Sequence, residues 1–146
     1  MPLVVDRNTP AYQGDIREQP AGAATNIFAG ALLMRNAAGF IVRGAVAVGC
    51  FGVGVAEQPA NNTAGANGAN GALLARYQTG ITARFRNATA GDLIVQADVG
   101  RVAWILDDDQ VAKTNGTATR SPAGIIEAVD AQGVWVRFDE AITRAS

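Results

Sequence analysis

Histidine is absent from the 146 residues, and cysteine occurs once. These two scarcities remove most familiar active-site chemistry. Neither a Ser/His or Cys/His nucleophile pair nor a His-ligated zinc site can be built. The one thiol, Cys50, excludes an intrachain disulfide. It lies in the apolar run 46–55 with no Lys or Arg within five residues, so it reads as a small buried hydrophobe rather than a nucleophile. Aromatic residues are 6% and charged residues 17%, with 12 basic against 13 acidic side chains. A net charge of −1 supplies no bulk attraction to nucleic acid or to an anionic membrane, so neither is an expected partner. No apolar run reaches ~18 residues without a glycine, so no transmembrane helix is expected. The opening MPLVVDRNTP has neither a basic n-region nor a long apolar h-region, which predicts no signal peptide and no export.

What is present is alanine, 17 glycines and short alternating runs. That pattern points to one all-β domain of many short strands and tight turns, with at most one or two short helices. A domain of this length buries roughly 70% of the surface its unfolded chain exposes, enough for a real core. The central stretch is 123–138, AGIIEAVDAQGVWVRF. Ile125, Glu127 and Val129 alternate with Ile126 and Ala128, and Asp130-Ala131-Gln132-Gly133 supplies the turn of a hairpin. Val134, Val136 and Phe138 then share one face of the return strand, with Trp135 and Arg137 on the other. Neither face is polar throughout, so a second sheet or another chain is expected over each.

Residues 1–24 carry Pro2, Pro10 and Pro20 and no sustained period, which predicts an extended arm with at most one short strand. Leu3, Val4, Val5, Tyr12 and Ile16 are more apolar than a solvated tail requires. The single β-rich domain is expected over 25–146. Residues 25–42 read as a hairpin turning at 35–39, with a short helix over 29–34 as the competing reading. Residues 45–56, AVAVGCFGVGVA, read as one strand. Its glycines interrupt a β-branched run instead of joining a strand to a helix, so they mark close backbone packing or a bulge and not a phosphate-binding loop. Residues 57–71, EQPANNTAGANGANG, read as a long loop.

Residues 72–86 read as a strand pair or one bent strand, with Ile81, Ala83 and Phe85 inward and Thr82, Arg84 and Arg86 outward. Arg76, Arg84 and Arg86 are expected on a solvated face or in salt bridges to a neighbouring subunit. Residues 101–106 read as a buried strand closed by Asp107-Asp108-Asp109. The three carboxylates lack the alternating oxygens, central glycine and distal glutamate of a calcium loop, so a solvated turn is expected and no metal. A short strand at 111–114, a turn at 115–116, a return at 117–119 and a polar tail from 139 complete the pattern. No spacing favours paired-carboxylate catalysis. No catalytic residue and no cofactor is expected, and the chain does not read as an enzyme.

The order of these segments resembles the small head-decoration, or capsid cement, proteins of tailed phages and prophages. The residues that carry the resemblance begin with Asp6-Arg7-Asn8-Thr9, Phe28-Ala29-Gly30-Ala31-Leu32 and Ala90-Gly91-Asp92. They continue with Ala103-Trp104-Ile105-Leu106-Asp107-Asp108 and Lys113-Thr114-Asn115-Gly116-Thr117. Arg120-Ser121-Pro122-Ala123-Gly124, leading into Val129-Asp130-Ala131-Gln132-Gly133-Val134-Trp135-Val136, closes the series. The resemblance implies a small β-barrel or tulip-like β-sandwich, made in the host cytoplasm, that sits on the outer surface of an icosahedral head. It implies a homo-oligomer, most commonly a trimer, and an N-terminal arm reaching over the major capsid protein. Leu3, Val4, Val5, Arg7 and Tyr12 are then the arm's contacts. Arg84, Arg86, Trp135 and Arg137 are candidates for the subunit interface, where Trp and Arg are favoured; for Trp135 a place in the core is the alternative. Two other readings stay open. One is a carbohydrate- or surface-binding β-module using Trp104, Trp135 or the Asn/Gly loop. The other is a minor capsid or head-completion protein.

Overall fold

Leu32, Leu33 and Met34 run together without a polar alternate, and all three are buried. A strand with three consecutive buried side chains must be covered on both faces, and the architecture supplies both covers. The structure, a computed structural model, describes residues 2, 4–7, 14–63 and 68–145.

The strands are β1 (Ile16–Pro20), β2 (Thr25–Ile27), β3 (Leu32–Arg35), β4 (Ile41–Arg43), β5 (Phe51–Ala56) and β6 (Ala60–Asn62). They continue as β7 (Leu74–Gln78), β8 (Thr82–Phe85), β9 (Val102–Asp107), β10 (Gln110–Ala112), β11 (Pro122–Asp130) and β12 (Gly133–Arg137). One short helix, α1 (Glu140–Ala145), follows. The first sheet has the order β1-β7-β5-β3-β4 and the second β10-β9-β11-β12-β8. A two-stranded ribbon, β2-β6, forms a third layer. All strand pairs are antiparallel. The fold is an all-β sandwich. Among the described residues neither sheet closes on itself, so the barrel form of the expectation is set aside.

Two cores result. Leu32 and Met34 face the second sheet and pack with Phe85, Ile105, Ile126, Val134, Val136 and Phe138. Leu33, Ile41, Val53 and Tyr77 face the other way, against Ile27 and Ala60 of the ribbon. Each fully buried side chain of this size contributes about 1.5–3 kcal/mol. Phe85 and Phe138 meet edge-on with centroids 5.8 Å apart. The sheets approach closely at Gly52, where a Cβ would collide with the backbone carbonyl of Ala123, and one at Gly54 would collide with that of Gln78. The expectation of close packing at these strand glycines holds.

The central hairpin is β11-β12, turning at 130–133 as expected, with a bulge between Ile126 and Ala128. The stretch 25–42 forms strands rather than a helix. Several boundaries differ from expectation. Residues 45–50 are irregular, because Ser121 holds them as a loop: its hydroxyl donates to the Ala47 carbonyl at 2.7 Å and accepts the Cys50 N–H at 3.0 Å. The Asn/Gly stretch contains β6. There Asn62 is fully buried, donating to the carbonyls of Gly22 and Ala69 and accepting from Gly68. Residues 72–86 divide between sheets, since β7 pairs with β1 and β5 while β8 pairs with β12. Residues 117–119 form no return strand. Thr117 and Ala118 both take φ of 62°, and the Asn115 carbonyl accepts from Thr119 and Arg120. The polar tail is α1, which packs on β5 and β11 and buries Thr143. From Ile16 onward the N-terminal stretch contributes the edge strand β1, and Ala21 and Gly22 are buried.

Candidate functional site

Alternation along β8 and β12 sorts one side into the core and the other onto the surface. Ala83, Phe85, Val134 and Val136 point inward. Trp135 pairs directly with Arg84 across the ladder, and Arg137 with Thr82. Arg84, Trp135 and Arg137 therefore share the outer face of the second sheet. The Arg84 guanidinium lies 5.6 Å from the centroid of the Trp135 ring, a contact worth about 0.5–1 kcal/mol at an exposed site. The indole N–H donates to Asp130 Oδ2 at 2.8 Å. That bond, with the backbone N–H groups of Gln132 and Gly133, holds the Asp130 carboxyl below its ordinary range. Trp135 is half-buried and belongs to neither core cluster. Its cover is Arg84 rather than another sheet.

The other arginines of the basic stripe are held within the chain. Arg86 binds both carboxylate oxygens of Asp109, at 3.2 and 3.3 Å. Arg76 bridges Glu18 at 3.3 Å and Glu57 at 3.0 Å. Val4 and Val5 are 88% and 75% exposed, and Arg7 is exposed. Leu3 and Tyr12 lie outside the described residues. The N-terminal group thus leads into the edge of the first sheet, while Arg84, Trp135 and Arg137 stand on the second, and Arg86 is tied to the β9–β10 turn.

That turn is Asp107-Asp108-Asp109. The three residues can bring carboxylate oxygens within 4.8 Å of one another. Burial, and then the Asp107 charge, push the Asp108 carboxyl up. The backbone gives the turn a structural use. Asp108 O accepts the Leu32 N–H of the first sheet and Asp109 O the Arg86 N–H of the second, at 2.7 and 2.8 Å. The turn clips the two sheets together.

A second candidate site is an open cleft of about 660 Å³, lined by the β3–β4 turn, the loop before β5, Trp104 of β9, the 115–122 segment and α1. Three arginines reach it. Arg35 donates to Glu140 at 2.8 Å and to the Gly39 carbonyl at 2.9 Å. Arg120 donates to Asp92 at 3.2 Å and to the Thr114 carbonyl at 3.0 Å. This partner, aided by the Thr114 hydroxyl, holds the Asp92 carboxyl below its usual range. Arg144 lies 5.8 Å over the Phe51 ring and has no carboxylate partner among the described residues. The Cys50 thiol also lines the cleft, and burial raises its pKa, which argues against a nucleophile.

No protein-family model, no curated protein and no solved structure matches this chain. The functional reading therefore rests on its own geometry. The sequence singled out Trp104 as a possible ligand contact, and Trp104 lines the cleft. Arg35, Arg120 and Arg144 were not legible as a group. They stand far apart in the chain, and only the meeting of a turn, a loop and a terminal helix collects them.

Proposed function

We propose that the chain is a structural virion protein, a capsid decoration protein that binds the outer surface of an icosahedral phage head and stabilises contacts between major capsid subunits. The observation that carries this reading is the exposure of Val4 and Val5 on a segment that precedes the edge strand β1. Isolated exposed apolar residues are ordinary, but an apolar segment that precedes an edge strand in sequence is suited to strand addition on a partner. The outer face with Arg84, Trp135 and Arg137 has the residue types that interfaces favour. In this proposal that face joins copies into a small oligomer, most simply a trimer. Several weak arms on one oligomer then act together through their high effective concentration. Binding only the mature shell stabilises it by mass action.

The test compares the full chain with a chain beginning at Asp15, which keeps β1 intact. Solution mass by sedimentation is measured first, and cosedimentation with empty capsids second. The reading expects an oligomer whose capsid binding disappears with residues 1–14. A monomer that ignores capsids in both forms would overturn it. A second reading, a carbohydrate-binding β-module, is favoured by the place of Trp104 in the cleft.

A further inference from the structure

We propose that the cleft is a binding site for an acidic sugar, a uronic-acid residue within a glycan, with Trp104 stacking on the pyranose ring and Arg144 pairing with its carboxylate. The proposal rests on the second reading above and is independent of capsid binding.

Charge bookkeeping sets the ligand's sign. Three guanidiniums reach the cleft, and two of them hold carboxylates of this chain, Arg35 with Glu140 and Arg120 with Asp92. Among the described residues, subtracting two from three leaves one guanidinium without a carboxylate, that of Arg144. A ligand with one negative charge per bound unit balances it. A phosphate dianion would need a second free cation.

Arg144 is also ready to act. Its guanidinium carbon lies 5.8 Å from the Phe51 ring centroid, a contact that commits none of its N–H donors to a carboxylate. Those donors match a carboxylate in paired geometry. Arg35 and Arg120 are fixed by their own partners, with side chains only 21% and 14% exposed. They shape the field without reaching out.

The walls set the ligand's shape. Trp104 lies on the opposite side of β9 from the core residues Ala103 and Ile105, so part of its ring is left for the cleft. A pyranose ring offers an apolar C–H face and a polar rim, which is the complement of an aromatic ring bordered by hydrogen-bonding groups. A cleft of about 660 Å³ admits a short oligosaccharide, and its open form suits an internal unit of a longer glycan. The loop that carries Arg120 is held in a costly form, with Thr117 and Ala118 both left-handed. Asp92 and Asn115 fix it there, so the wall exists before the ligand arrives.

The experiment titrates the full chain with trigalacturonic acid, and separately with cellotriose as a neutral trisaccharide. It reads heat and tryptophan fluorescence at low and high salt. Saturable binding of the acid alone is expected, weakening with salt. Arg144→Gln, an exposed change on α1, is expected to weaken it about tenfold, the effect of a charged hydrogen bond. Trp104→Phe is expected to weaken it by a smaller factor, and Arg43→Gln, an exposed change on β4 outside the cleft lining, to leave it unchanged. Equal binding of both sugars, unaffected by Arg144→Gln, would overturn the acidic-sugar assignment while keeping the carbohydrate reading. Binding of neither sugar would overturn both. Acid binding that follows Arg43 instead of Arg144 would place the site elsewhere and overturn the proposal.

Discussion

Gly52 has no room for a side chain, because the backbone of Ala123 occupies the place of its Cβ. Gly52→Ala must therefore push the two sheets apart or bend β5. We expect a loss of about 2–3 kcal/mol, read as a lower urea midpoint with an unchanged slope. The repeated glycine in AVAVGCFGVGVA announced close packing, although not against which strand. Asp92 titrates as a depressed carboxylate, so its contribution is fully present above its ordinary pKa of ~3.9 and is lost as pH falls through the lower folded value. The stability advantage of the natural chain over Asp92→Asn should hold at neutral pH and shrink below about pH 4. Denaturation midpoints at several pH values check this. An advantage that grew on acidification would contradict the Arg120 pairing. The Arg120–Asp92 pair itself was invisible in the sequence, since 28 positions separate the partners.

At the scale of elements, β6 and α1 show what periodicity overlooks. The stretch 57–71 was read by composition as a loop, yet Asn62 makes it part of the body. Its amide serves the carbonyls of Gly22 and Ala69 and the N–H of Gly68. Asn62→Ala would strand those groups in a dry site, and we expect a cost of about 3 kcal/mol, measurable by thermal or chemical unfolding. An asparagine satisfied three ways looks no different in sequence from a solvated one. The helix is another matter, because its signals were present. Asp139 stands at the N-cap, Glu140 in the first turn and Arg144 in the last. Six residues are too few to form a helix alone. Packing on β5 and β11, with the Arg35–Glu140 pair, supplies the remainder. Removing the cap with Asp139→Ala should cost about 1 kcal/mol. Because α1 carries Arg144, it should also weaken any ligand held in the cleft. The hairpin β11-β12 was legible because alternation and turn chemistry agreed within one short segment.

Across the whole molecule, the class of fold could be read from short runs and glycines, but the pairing of strands could not. Residues 72–86 read as a strand pair or one bent strand, yet the chain leaves the first sheet after Gln78 and enters the second at Thr82. The crossing puts Phe85, with Ile81 and Ala83, into the core shared by Leu32, Met34, Val134 and Val136. For the proposed capsid role, a chain beginning at Asp15 should keep its unfolding midpoint and lose capsid binding. A large fall in that midpoint would instead make the first 14 residues structural. The crossing carries one more consequence. Every strand of the first sheet precedes Thr79, and every strand of the second follows it. During synthesis the first sheet can therefore assemble with its Leu32 and Met34 face still waiting for the strands that will cover it. The same division makes Gly80 a natural place to cut the polypeptide. The two pieces, mixed after separate expression, should find each other and reconstitute the sandwich, with α1 of the second gripping the first through Glu140.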